Sequence, residues 1–222
     1  MNSPTTKIHV TLKAAITLDG KIATAREDSK WITGESARLE GHRLRSQHDA
    51  ILVGINTVLK DNPSLTTRGI SNGRSPTRII LDSKGRLPSD SKVLEDDGVQ
   101  VIQVIGNEIN PATIKSGQNV EILRAPSTHP EPLWLLEQLE MKGIRSLLVE
   151  GGAKVHGSFI KSGCVTRLQL FSAPKVIGGQ SALSWCGDLG TNLIADATDW
   201  KILSVQPLDQ DLSLIHISEP TR

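Results

Sequence analysis

Short apolar runs separated by helical stretches constrain this chain more than any other feature. Residues 8–16, 50–54, 77–81, 100–105, 120–123, 145–149 and 167–171 each carry the Ile, Val and Leu density of a buried strand. Between them, 35–48, 130–141 and 153–162 read as helices and 57–60 as a helical turn. Thr33 or Gly34 caps the first helix. Pro132 falls in the first turn of the second, where its missing N–H costs little, and Gly163 closes the third. The first strand ends in a sharp turn at Leu18, Asp19 and Gly20, which Asp19 fixes. Asn62 and Pro63 stop the helical turn, and 69–76 is a loop by composition. Strands alternating with helices predict an α/β domain with helices on both faces of its sheet. Residues 200–205 and the region of Leu212 add a C-terminal strand pair. No linker or repeat interrupts the pattern, so 1–212 reads as one domain.

Composition narrows the functional classes. The 222 residues are 37% hydrophobic but only 3% aromatic, with no Tyr, so the core is built from aliphatic side chains. Lys plus Arg number 25 against 24 Asp plus Glu. That balance gives no basic footprint for nucleic acid, and few aromatics are there to stack bases. No apolar run approaches the ~20 residues that span a bilayer, and the first residues lack a signal pattern, which predicts a cytoplasmic protein. Cys164 and Cys186 are too few and too far apart for a zinc site and read as small hydrophobes; no metal is expected. The His-x-Glu and Pro-Cys-x-x-Cys signature of a zinc deaminase is absent from the sequence. Glu95, Asp96 and Asp97 read as a solvated acidic loop. Residues 213–222 match the translation of a transposase sequencing adapter and read as a foreign tail; their partial apolar alternation could complete the last strand.

Several residues carry chemistry. After the 145–149 strand come Glu150, Gly151 and Gly152, then a helix. This is either a bare tight turn or an anion site at a helix N-terminus, and it lacks a full Gly-x-Gly-x-x-Gly. Asp82 at a strand end hints at NADH, whereas the adjoining Ser83, Lys84 and Arg86 suit a 2′-phosphate. Arg45 and Arg68 present planar donor forks that match phosphate oxygens, although a single Arg is more often a surface charge. Trp31 is a core anchor or a pocket wall. Lys13 shares a strand face with Ala15; it points either into a site, where a lysine donates protons, or to solvent. His42 and His48 read as surface or packing residues.

Taken in order, the 10–23 segment, 29–33, Arg45, Asn56, Thr57, 61–65 and Arg68 closely resemble the pyrimidine reductase family of riboflavin biosynthesis, over about 7–212. The resemblance implies a dihydrofolate-reductase-like fold: a mostly parallel central sheet with helices on both faces and an antiparallel C-terminal hairpin. It implies NADPH-dependent reduction of the ribose of 5-amino-6-(5-phosphoribosylamino)uracil. By the same resemblance Ala15, Trp31, Thr33, Thr57, Asp61, Ser83, Gly152, Ala153, Lys154, Val155, His156, Gly157 and Ser158 contact cofactor. Ser29, Arg45, Leu65, Arg68 and Glu150 contact substrate, and Glu150 with Lys13 handles charge at the reacting sugar. The small Ala15 suits close approach of the nicotinamide to backbone. A homodimer through the sheet edge is expected, with a separate deaminase as a further partner. Three alternatives remain: the reductase of the 2,5-diamino pyrimidinone, a dihydrofolate reductase, which would want an acid late in the first helix, and a non-catalytic nucleotide-binding relic.

Overall fold

A computed structural model describes residues 7–114, 117 and 119–218. Its strands and helices follow the chain as β1 (His9–Thr17), β2 (Lys21–Ala23), α1 (Glu35–Gln47), β3 (Ala50–Gly54), α2 (Ile55–Asp61), β4 (Thr77–Leu81), β5 (Val101–Ile105) and β6 (Val120–Arg124). Then come α3 (Pro132–Met141), β7 (Ser146–Val149), α4 (Ala153–Lys161), β8 (Arg167–Ala173), β9 (Leu183–Ser184), β10 (Trp200–Leu208) and β11 (Asp211–Ser218). The main sheet runs β10-β11-β8-β1-β7-β3-β4-β5-β6. β8 to β6 are all parallel; β11 runs against them, and β10 pairs antiparallel with β11.

The period-2 alternation of the strands decides which helix each residue meets. Leu12, Leu52, Ile79 and Ile102 pack with Leu135 and Leu136 of α3 and Phe159 of α4. Their neighbours Ile51, Val53 and Ile80 pack with Ala37 and Leu44 of α1 and Val58 of α2. Helices therefore cover both faces, and the strands between them read as apolar runs because neither side meets water. This is the dihydrofolate-reductase-like arrangement expected from the sequence, reversed hairpin included.

β7 inserts between β1 and β3, while β8 lies on the far side of β1. Chain direction thus diverges around β1 and β7, and in open α/β sheets the crevice at the carboxyl ends of such strands is where ligands sit. A second, two-stranded sheet of β2 and β9 flanks that end.

Two expectations need revision, and a third is met. The 95–97 loop is not merely solvated: Arg78 is fully buried and its guanidinium pairs with the Asp97 carboxylate and donates to the Val93 carbonyl at 3.1 Å. Asp96 also accepts from Asn119 Nδ2 at 2.6 Å. The strand at 200–205 extends to Leu208, through Pro207; β10 is an edge strand, so the missing N–H breaks no ladder on its outer side. Residues 213–218 complete the last strand, as their apolar alternation allowed. They lie in β11, paired with β8 on one side and β10 on the other, while 219–222 fall outside the described residues.

Candidate active site

The carboxyl ends of β1, β7, β3 and β4 open into a cleft of about 750 Å³. Its floor rises from the two residues that follow β7. The Glu150 N–H donates to the Leu52 carbonyl at 2.9 Å, which carries β7 pairing past the strand end and turns the side chain toward α1. There Arg45, late in α1, closes a two-point ion pair with Glu150, with Nε to Oε1 and Nη2 to Oε2 both at 2.9 Å. Its Nη1 donates to the Thr66 carbonyl at 3.1 Å. From β1 the Lys13 ammonium comes within 3.7 Å of Glu150 Oε2 and 5.7 Å of the Phe171 ring centre. Burial alone would raise the Glu150 pKa, but Arg45 and then Lys13 outweigh it and hold the carboxyl down at about 2. Glu150 is thus a fixed anion, with the Lys13 side chain beside it.

Gly151 and Gly152 then open α4. A Cβ on Gly151 would lie 2.6 Å from the Val155 Cβ, so only glycine fits, whereas one on Gly152 meets nothing within 4 Å. The first intrahelical bond is His156 N–H to the Gly152 carbonyl, leaving the Ala153, Lys154 and Val155 amides at the cleft wall without helical partners. Free amides, open space at Gly152 and the Lys154 side chain fit a diphosphate. The α4 mouth is not blocked by packed side chains.

The cleft lining brings together Lys13, Ala15, Ser29, Thr57, Asp61, Ser83, Glu150, Gly152, Ala153, Lys154, Val155, His156 and Ser158. Others from the sequence reading are not in the lining. Trp31 is 65% exposed, with the Arg38 guanidinium 4.8 Å over its ring. Thr33 is buried and its carbonyl accepts from Arg38. Gly157 faces Gly187, whose backbone would lie 3.2 Å from a Cβ there, so it allows close packing of α4. Leu65 is buried at φ 54°. Arg45 reaches the cleft through Glu150. Arg68 is exposed beside His42, whose Nδ1 lies 3.3 Å from the Arg68 backbone nitrogen and 3.2 Å from the Thr66 carbonyl oxygen. Burial, then the charges of Arg45 and Arg68, lower the His42 pKa.

Asp82 resolves the tension noted in the sequence. It is fully buried, and its Oδ2 accepts from the Leu87 amide and Gln103 Nε2, both at 2.8 Å. It staples the loop after β4 rather than facing the cleft. Asp19 likewise holds backbone: Thr17 Oγ donates to it at 2.6 Å and the Gly178 amide at 2.7 Å, which together lower its pKa to about 2. His48 packs, between the Leu44 carbonyl and Thr11 Oγ. His156 is buried in α4; its Nδ1 lies 2.7 Å from the Trp185 carbonyl oxygen, and burial lowers its pKa to about 4.

Sequence reasoning missed Glu27, Lys60, His129 and Pro130, which also line the cleft. The Lys60 ammonium lies 2.5 Å from Glu27 Oε2, joining α2 to the segment after β2. None of these sits in a motif; their placement follows from long-range packing alone.

Comparison with known proteins agrees with this architecture. The family model described as the RibD C-terminal domain matches residues 8–214. The riboflavin biosynthesis protein RibD of Bacillus amyloliquefaciens is 39% identical over 214 residues, covering 94% of this chain and 57% of that protein. The 2,5-diamino-6-ribosylamino-4(3H)-pyrimidinone 5′-phosphate reductase of Methanothermobacter thermautotrophicus is 36% identical, covering 92% of this chain and 95% of its own length. A crystal structure of the diaminohydroxyphosphoribosylaminopyrimidine deaminase/5-amino-6-(5-phosphoribosylamino)uracil reductase of Thermotoga maritima superposes with a TM-score of 0.82 at 34% identity, covering 95% of this chain and 56% of that one. The chain spans a little over half the length of the RibD proteins it matches. By sequence and by fold, this chain belongs to the RibD C-terminal domain family.

Proposed function

We propose that this chain reduces the ribosyl group of 5-amino-6-(5-phosphoribosylamino)uracil to the ribityl form, with NADPH as the reductant. The observation that carries this reading is the Lys13–Glu150–Arg45 cluster beside the open mouth of α4, which puts a fixed anion and an ammonium next to a diphosphate cradle. The bound cofactor supplies a hydride to C1′. The protein does the rest by position and charge. As the sugar ring opens, the C1′–O bond breaks and its electron pair stays on oxygen, where the Lys13 ammonium is placed to deliver a proton. The carbon–nitrogen centre left behind is electron-poor, and the Glu150 carboxylate stabilises that developing positive charge. Hydride addition at C1′ completes the reduction. Arg45 acts by orienting Glu150, and exposed Arg68 is the remaining guanidinium for the 5′-phosphate, with Ser29 and the backbone at Leu65 alongside.

The 95% coverage of the archaeal pyrimidinone phosphate reductase favours a second reading, in which the same chemistry acts on the 2,5-diamino pyrimidine. Assaying both pyrimidines with purified protein, by loss of the reduced cofactor's near-ultraviolet absorbance, decides between them. Absence of turnover with both, in protein that still binds NADPH, would instead indicate the non-catalytic relic.

We further infer a homodimer in the cytoplasm. β10 is one edge of the sheet and exposes Ile202, Leu203 and Val205, apolar side chains suited to pairing with a second copy. Among the described residues no helix is long and apolar enough to cross a membrane.

A further inference from the structure

Two complementary polar groups sit side by side below the cleft without meeting. Lys13 of β1 stands directly opposite Gln169 of β8, in register across the parallel pair. Neighbouring strands are ~4.8 Å apart, so two side chains of this length emerge within reach of one another. Phe171, two residues on, shares their face of the sheet, the one that packs against α1. The Lys13 ammonium lies 5.7 Å from its ring centre, so the lysine leans toward the carboxyl end of β8. Gln169 leans the same way. Its Nε2 points to Ser213 Oγ at 3.5 Å, and Ser213 is paired with Phe171 rather than with Gln169. With that nitrogen turned toward β11, the oxygen is the atom left for the β1 side.

Each group is short of a partner. Gln169 is 2% exposed, and its Oε1 is buried with no donor among the described residues. A buried amide oxygen left in that state costs free energy. The Lys13 ammonium carries three donors. Its contact with Glu150 Oε2 spans 3.7 Å, too long for a hydrogen bond, and among the described residues nothing accepts one from it. α1 also leaves the ammonium room. A Cβ on Gly41 would stand 3.7 Å from both Cε and Nζ of Lys13. Glycine inside a helix is less favourable than alanine, and here the added methyl would fit. What it would take away is space for the lysine to move.

We propose that Gln169 is a positioning residue for Lys13, its Oε1 accepting a hydrogen bond from the ammonium when the hold of Glu150 weakens; this rests on the proposed reductase reading. The positive charge that develops beside Glu150 as the sugar ring opens competes with Lys13 for the carboxylate. A flexible four-carbon stem released at that moment loses its aim at the sugar oxygen. An amide acceptor rooted on the neighbouring strand keeps the ammonium in place through the proton transfer. Gln169 itself touches neither sugar nor cofactor and acts only through the lysine.

One arm of the test needs no turnover. In a crystal structure of Glu150→Gln with NADPH bound, the Lys13 ammonium is expected about 2.9 Å from Gln169 Oε1, and a separation that stays beyond about 3.5 Å overturns the proposal. The second arm is a double-mutant cycle in steady-state kinetics with NADPH and the phosphoribosylamino-uracil. Gln169→Leu should lower kcat about tenfold while changing KM less than about twofold, and Gln169→Glu, which keeps an acceptor, should recover most of the loss. In a Lys13→Ala background, Gln169→Leu should cost less than about twofold. Equal losses in both backgrounds would mark Gln169 as merely structural and overturn the proposal. Gly41→Ala should melt at a higher temperature yet turn over more slowly, and thermal melts of every variant report folding separately. An ammonium found on Gln169 in protein that reduces neither pyrimidine upholds the contact and overturns the reductase reading instead.

Discussion

Arg45 and Glu150 meet across the sheet–helix boundary through two parallel hydrogen bonds of 2.9 Å, and Lys13 completes the cluster at 3.7 Å. A carboxylate so enclosed cannot be neutralised without stranding two cations. Glu150→Gln keeps the shape and removes the charge. It should lower stability by about 3 kcal/mol, as breaking a buried pair does, and reduce kcat by on the order of 10²-fold or more. Urea denaturation and steady-state kinetics check both; an unchanged denaturation midpoint would show that the cluster is not stabilising.

The same cluster sets an acid limb of stability. The folded pKa of Glu150, about 2, lies below its ordinary 4.5. Its contribution is therefore fully present above pH 4.5 and is lost as pH falls toward 2. A buried histidine works in a higher window. His156 is held neutral at a pKa of about 4 against 6.5, so the unfolded chain takes up protons first and stability falls as pH drops from 6.5 toward 4. Each group accounts for roughly 3 kcal/mol across its window. Denaturation series across pH should show Glu150→Gln flattening the lower limb and His156→Gln the upper one.

Adjacent glycines should respond differently. Gly151→Ala drives a Cβ against Val155 and should destabilise by ~1–3 kcal/mol. Gly152→Ala meets open space at an extended N-cap and should cost under ~1 kcal/mol. A diphosphate seated there would feel that methyl, so cofactor affinity should still drop. Thermal melts paired with cofactor titration separate the two effects; full affinity in Gly152→Ala would move the diphosphate elsewhere.

A chain ended at Leu212 removes most of β11, uncovering β8 and leaving β10 without its partner. Loss of cooperative unfolding is expected, read by near-ultraviolet dichroism of the tryptophans. A native-like melt would mean that residues 213–218 are dispensable to the sheet, whatever their origin.

Much of this was legible in the chain. Apolar runs such as 50–54 and 77–81 sit between two helical layers, so burial on both faces wrote itself into composition. The place of Glu150 at a strand end was readable, whereas alternation put Lys13 on the face of Ala15 without deciding between a site and solvent. Other features were not. β9 is two residues long and exists only through pairing with β2, which no local pattern signals. The burial of Arg78 has no local signal either, because it depends on Asp97 folding over the guanidinium from a distant loop. His129 reaches the cleft because Gly106 lets distant loops approach, and neither residue forms a motif with the other.

The most direct test is a single-turnover mixture of purified protein, NADPH and the phosphoribosylamino-uracil, with the pyrimidine product identified by mass. The expected result is one ribitylamino product gained per NADPH oxidised, and no oxidation in Glu150→Gln on the same time scale. Bound NADPH that stays reduced in the presence of either pyrimidine would contradict it.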